Sequence, residues 1–250
     1  MNATYTSHGN EVLLDAHGIA AWYGAAQVLY GIDLQVRRGE VVALMGRNGA
    51  GKSTTLKSLM GLMGKRKGTV RFMDADISEA QPHHIASLGM GFVPEDRRIF
   101  VDLTVSENLE VGRQPPRQWP DGQDAPFWTP QDLYKLFPNL GEMPDRLGGR
   151  MSGGEQQMLT VGRSLMGNPF LVLLDEPSEG VAPVIVEQMA HMILALKARG
   201  VSILLSEQNL HFAELVSDRA YVLEKGQIQF EGSMEALANA DDIRRAYLSV

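Results

Sequence analysis

The 250-residue chain contains no cysteine, which excludes disulfides and thiolate metal ligands. It also lacks any apolar run approaching the ~20 residues that span a bilayer, so no transmembrane helix is expected. The opening stretch, Met1-Asn2-Ala3-Thr4-Tyr5-Thr6-Ser7-His8, has neither the basic start nor the apolar segment of a signal peptide. Positive charge is in the minority: 23 Lys and Arg against 30 Asp and Glu leave a net charge of −7. That balance weighs against nucleic acid as a partner. Together these absences fit a cytosolic protein. What is present, a 44% hydrophobic share over this length, is enough to bury a real core.

The most informative stretch is Gly46-Arg47-Asn48-Gly49-Ala50-Gly51-Lys52-Ser53, which reads G-x-x-x-x-G-K-S. Its glycines let the backbone turn tightly and aim successive N–H groups at a phosphate chain. Lys52 adds a point charge, and the Ser53 hydroxyl suits a hydrated Mg²⁺. Glu40 to Leu44 precedes the loop as a short buried strand. Ser53-Thr54 and the residues up to Met60 follow it as a helix whose positive end faces the same anion. Strand, loop and helix together predict a nucleoside triphosphate site.

Elsewhere the pattern alternates. Short strands are expected at Val12–Leu14, Val28–Tyr30, Ile32–Val36 and Gly68–Phe72, with Lys65-Arg66-Lys67 as a solvated turn. Thr104 and Glu107 form a capping box that opens a helix. Between Arg113 and Pro130, Pro115, Pro116, Pro120, Pro126 and Pro130 rule out regular structure, so a long loop is expected. Its Trp119, Phe127 and Trp128 are expected to pack it down. Thr129 and Pro130 then cap a short helix. Beyond Ser152 come a helix to Gly167, strand Phe170–Leu174, helix Val184–Ala198, strand Val201–Leu205, and a hairpin across Lys225-Gly226. Such alternation implies a mainly parallel sheet flanked by helices, with an antiparallel piece at one side.

Two further stretches carry chemistry. Leu171-Val172-Leu173-Leu174-Asp175-Glu176 is an apolar strand ending in acids, and ligands bind at the carboxyl ends of such strands. Asp175 is therefore placed to serve a metal near Ser53, and Glu176 to polarise an attacking water. In Met151-Ser152-Gly153-Gly154-Glu155, Ser152 and Glu155 make another capping box, with two glycines leaving the first-turn amides uncovered for an anion.

With these motifs in this order, the chain resembles the ATP-binding subunits of ATP-binding-cassette (ABC) transporters over nearly its whole length. Gly46 to Ser53 matches that family's Walker A, Leu171 to Glu176 its Walker B with catalytic glutamate, and Met151 to Glu155 its signature. Tyr23, just before Gly24, matches the aromatic that stacks on adenine. The resemblance implies an α/β P-loop NTPase of ABC type, a single domain over 1–250. It would combine an antiparallel β subdomain with a helical subdomain at about 97–165. It also implies ATP and Mg²⁺ as cofactors, with Gly46, Asn48, Gly49, Ala50, Gly51, Lys52, Ser53 and Thr54 around the phosphates. Ser152, Gly153, Gly154 and Glu155 would contribute to the site of a second ATPase subunit in a head-to-tail dimer.

Two positions depart from the general family pattern. Glu95, in Phe92-Val93-Pro94-Glu95-Asp96-Arg97-Arg98, stands where a metal-contacting glutamine is usual. Gln208, in Ser206-Glu207-Gln208-Asn209, stands where a histidine contacts the γ-phosphate. With Glu179-Gly180-Val181-Ala182, these swaps resemble the second ATPase subunit of branched-chain amino acid importers and their urea and amide relatives. The resemblance then implies catalytic roles for Glu176, Gln208 and Lys52, and metal contacts from Ser53, Glu95 and Asp175. It implies membrane permeases, a sister ATPase subunit and, indirectly, a solute-binding protein as partners, at the inner face of the cell membrane. Two alternatives stay open: the ATPase of an envelope lipid or lipopolysaccharide exporter, and a soluble cassette ATPase outside transport.

Overall fold

The structure, a computed structural model, describes residues 11–248; the Met1–His8 opening lies outside them. Strands β1 (Val12–Tyr23) and β2 (Ala26–Arg37) form one long antiparallel hairpin. This corrects the three short strands expected there. The register shifts between Ala16 and Ala20, and such bulges break the period-two alternation that marks a continuous strand. Strand β3 (Val41–Met45) leads into helix α1 (Lys52–Leu59). Next come β4 (Lys65–Phe72), β5 (Ala75–Asp76), α2 (Pro82–Ser87) and β6 (Met90–Val93).

The basic triplet Lys65-Arg66-Lys67 is the start of β4, not a solvated turn. The Lys65 ammonium lies 5.0 Å from the Trp22 ring centre. The Arg66 guanidinium donates to the carbonyls of Ser58, in the last turn of α1, and Ala80, ahead of α2. β4 tolerates three cations because most of its length is exposed.

Helices α3 (Val105–Val111), α4 (Pro130–Leu136), α5 (Pro138–Gly141) and α6 (Gly153–Leu165) fill the stretch between β6 and β7 (Leu171–Asp175). Residues 112–129 between α3 and α4 carry only an isolated bridge, Gln118 to Asp124. Trp119 and Trp128 are buried as expected, while Phe127 is exposed. Arg38 stacks 3.9 Å above Trp119, whose ring meets Phe170 at 4.5 Å. Asn168 then pins the loop backbone, accepting from the Trp128 N–H and donating to the carbonyls of Gln114 and Pro115. The chain finishes with α7 (Pro183–Ala198), β8 (Ser202–Glu207), α8 (Leu210–Val216), β9 (Arg219–Glu224), β10 (Gln227–Ser233), α9 (Met234–Ala238) and α10 (Asp241–Tyr247).

Two sheets result. One is the antiparallel order β2-β1-β4-β5; the other is β10-β9-β3-β8-β7-β6, parallel except for its β9-β10 edge. Every residue of β3 and β7 is buried. In β3, Val41, Ala43 and Met45 face a core with α6 and α7, whereas Val42 and Leu44 face α1 and the hairpin sheet. A strand covered on both faces reads as a continuous apolar run. The carboxyl ends of β3, β7 and β8 therefore open on the same side, beside the loop after β3.

Candidate nucleotide site

The loop after β3 is shaped by two glycines that nothing else can replace. Gly46 has φ 153°, and a Cβ there would lie 2.3 Å from the Leu223 carbonyl oxygen. Gly51, at φ 112°, caps α1, and a Cβ would meet the Leu29 side chain at 2.9 Å. The Gly226 N–H donates to the Ala50 carbonyl at 2.8 Å, fastening the loop to the β9-β10 turn. No side chain caps α1, so its first-turn amides stay available to an anion.

Beneath the loop lie the groups that move charge. Lys52 Nζ donates to the carbonyls of Gly46 (2.7 Å) and Arg47 (3.1 Å) and pairs with Glu176 Oε1 at 3.0 Å. Asp175 Oδ1 accepts from both the Ser53 and Ser206 hydroxyls at 2.8 Å. Ser206 is Asp175's neighbour in the β7-β8 register, and its hydroxyl also accepts from the Glu176 N–H at 3.0 Å. Glu176 sits in the left-handed region, φ 47°, where non-glycine residues are strained and cluster at functional sites. Its Oε2 is buried without a hydrogen-bond partner.

Burial pushes the Asp175 carboxyl above the usual carboxylate range, against the pull of the two serine hydroxyls. Burial and the adjacent Glu179 raise Glu176 likewise, against the pull of Lys52. A carboxyl whose folded pKa is raised binds its proton more tightly when folded. Its burden on stability is therefore absent at low pH and grows as pH rises from the unfolded pKa through the folded one. Asparagine at 175 keeps one oxygen for both hydroxyls and removes that burden. Thus Asp175→Asn is expected to melt higher than the parent at pH 8, with the gap closing towards pH 4. Thermal unfolding of the nucleotide-free pair across that range checks this; a gap that widens on acidification contradicts it.

A cavity of about 430 Å³ lies over these groups. Of the residues read from sequence, Tyr23, Asn48, Gly49, Gly51, Lys52, Ser53, Thr54, Glu95 and Glu176 line it. Tyr23 ends β1 with its side chain half exposed. Gly46 and Ala50 are buried in the loop, and Asp175 lies below Ser53. Val28, which no local motif marks, and Glu179, three residues beyond Glu176, line the cavity too. Gln208, exposed just after β8, does not line it.

Nor do Ser152, Gly153, Gly154 and Glu155, which open α6. Ser152 Oγ accepts from the Glu155 N–H at 3.3 Å and the Glu155 carboxylate accepts from the Ser152 N–H at 2.7 Å, closing the capping box. Packing restricts Gly154 as well, where a Cβ would meet Ile185 at 2.8 Å, whereas at Gly153 it would meet only the mobile end of the Arg97 side chain.

The ABC transporter family pattern matches residues 29–179. The high-affinity branched-chain amino acid transport ATP-binding protein BraG of Pseudomonas aeruginosa is 40% identical, covering 94% of this chain and 99% of its own length. The lipopolysaccharide export system ATP-binding protein LptB of Haemophilus influenzae is 34% identical, covering 94% and 97%. Among solved structures, the ADP conformation of MJ1267, an ATP-binding cassette of an ABC transporter, superposes with TM-score 0.76 at 29% identity, covering 94% and 97%. The chain belongs to the ABC transporter family, as one of its ATPase subunits. It binds ATP and couples ATP hydrolysis to transport, and its fold is the ABC-type P-loop fold expected from the motifs.

Proposed function

We propose that this chain powers import of branched-chain amino acids or similar small polar solutes through membrane permeases. The likeness to BraG over almost the full length of both chains carries this reading, and Glu95 and Gln208 agree with it. The likeness to LptB keeps a lipopolysaccharide exporter as the second reading. We read residues 1–250 as one domain, with 97–165 as a helical subdomain containing α3 to α6. Among the described residues no helix is long and apolar enough to cross a membrane. That suits a subunit held on the inner face of the cell membrane by its permeases. A cavity of about 550 Å³ beside exposed Phe100, bordered by Met60, Phe92, Val111 and Arg163, suits a permease segment. Nucleic acid is no part of this reading.

In the proposed mechanism, ATP seats its base on Tyr23 and its phosphates on the amides of Gly49 to Thr54. Lys52 turns from Glu176 to the phosphates. That exchange frees the Glu176 carboxylate, which burial and Glu179 make a stronger base than usual, to take a proton from the attacking water. Ser53, Asp175 and Glu95 would hold Mg²⁺. Among the described residues no three acidic or histidine side chains converge, which suits an ion that takes one or two carboxylates and keeps phosphates and waters as its other ligands. When bound, the ion neutralises charge on the β- and γ-phosphates. The cavity holds no signature residue, and a second subunit's Ser152, Gly153 and Gly154 would close it from outside. A sister chain is the expected partner, with a solute-binding protein acting indirectly through the permeases.

Gln208 can hydrogen-bond a phosphate oxygen but cannot carry a proton at these pH values. Gln208→Ala is expected to lower kcat by about tenfold, the worth of one such bond, with the shape of its pH profile unchanged. Unaltered turnover would remove Gln208 from the site. For the function as a whole, affinity capture of the tagged chain from native membranes is expected to bring down a multi-span permease. Amino acid uptake should then fail in cells carrying Glu176→Gln. Loss of lipopolysaccharide export instead supports the exporter, and capture of no membrane protein supports a soluble ATPase.

A further inference from the structure

Glu207, the last residue of β8, is 1% exposed. Among the described residues no cation pairs with it, and burial pushes its carboxyl above the usual range. An unpaired buried carboxylate is expensive unless its oxygens are satisfied. Here both are used, and by two different loops. One oxygen accepts from the Ser178 N–H at 3.1 Å, the other from the Asn209 N–H at 3.3 Å. Ser178 lies two residues beyond Glu176. Asn209 directly follows Gln208 and caps α8 by accepting from the Phe212 N–H at 3.1 Å. One buried side chain thus fastens the loop that carries Glu176 to the loop that carries Gln208.

The Glu176 loop needs such a hold, because Glu176 itself sits in the left-handed region and a strained residue persists only where its surroundings over-determine it. Ser206, the neighbour of Glu207, holds the near side of that loop through the Glu176 N–H. Glu207 holds the far side. A carboxylate suits the position because two N–H groups converge on it. Glutamine offers a single acceptor oxygen, and its amide would turn a donor towards one of the two N–H groups.

We propose that Glu207 is a positioning residue for hydrolysis, keeping Glu176 and Gln208 in a fixed relation across two loops. The proposal rests on the roles given to those two residues above. It is tested with Glu207→Gln in the full-length chain, measuring steady-state ATP hydrolysis, ATP binding by fluorescence, thermal unfolding and amide hydrogen exchange. Relief of the buried carboxyl offsets the lost acceptor, so the melting temperature should stay within a few degrees of the parent's. ATP affinity should stay within about twofold, while kcat falls by about tenfold or more, the effect of one lost hydrogen bond and a shifted group. The amides of Ser178 and Asn209 should exchange slowly in the parent, with at least one faster in the variant.

A kcat within twofold of the parent overturns the proposal, as does a fall in kcat that merely tracks loss of ATP binding or of the folded state. Fast exchange of both amides in the parent also overturns it, even if the variant fails to fold. A parent that binds ATP without hydrolysing it even when its sister subunit is supplied would instead overturn the roles given to Glu176 and Gln208. The two failures are therefore distinguishable.

Discussion

Glu176→Gln is expected to cut steady-state hydrolysis by about 10²- to 10⁴-fold, the usual contribution of a positioned general base, while ATP stays bound. Glutamine matches glutamate in size and its oxygen can still accept from Lys52, so the loop that Lys52 ties together at Gly46 and Arg47 keeps its shape. What disappears is the ability to take a proton. In the parent that ability is supported by burial and Glu179, which hold the carboxyl above its usual range. It is also masked, because Lys52 pairs with the same carboxylate before nucleotide arrives. With binding intact and chemistry blocked, ATP and Mg²⁺ should drive the variant into a dimer on size-exclusion chromatography. A monomer under saturating ATP, with the sister subunit also supplied, counts against the shared site, and turnover near the parent's counts against Glu176 as the base.

Lys52→Ala acts earlier, on binding itself. Its side chain is 3% exposed and has two carbonyls and one carboxylate as partners. Truncating one member of a buried, hydrogen-bonded charge pair costs about 2–5 kcal/mol, or about 30-fold to several thousand-fold in ATP Kd. Two effects add here. The phosphates lose a cation, and Glu176 is left as a buried negative charge facing them. Calorimetric titration of ATP checks this, and a Kd within about threefold of the parent's contradicts it. Glu176→Gln in the same background should recover part of the affinity, because it removes the second effect.

The phosphate loop was legible because its information is local. The G-x-x-x-x-G-K-S spacing and the backbone angles of Gly46 and Gly51 lie within eight residues, although the atoms that crowd those glycines come from Leu29 and Leu223, and the capping boxes at Thr104 and Ser152 pair residues only three apart. Strands β3 and β7 were legible because burial on both faces leaves an unbroken apolar run. β6 was not, since Met90-Gly91-Phe92-Val93 is four residues with a glycine inside and shows no alternation. The β1-β2 hairpin lost its period at its bulges, and the start of β4 hid behind Lys65-Arg66-Lys67. The part of the site missed from sequence depends on long-range register. Ser206 reaches Asp175 only because β8 lies beside β7, and Glu207 joins loops 29 and 2 residues away. Val28 borders the cavity from the hairpin sheet for a similar long-range reason. No spacing along the chain encodes these contacts.

The central claim is that one ATP is held between the phosphate loop of one subunit and the Ser152 end of α6 in another. The absence of cysteine makes this directly measurable, because introduced thiols have no competitors. Chains carrying Asn48→Cys are mixed with chains carrying Ser152→Cys, both in the Glu176→Gln background, and oxidised with and without ATP and Mg²⁺. A disulfide between the two chains that forms only with ATP is the predicted result. A bond that forms equally without nucleotide contradicts it, as does no bond when ATP saturates the site, whether the second chain is a copy or the sister subunit carrying the matching thiol.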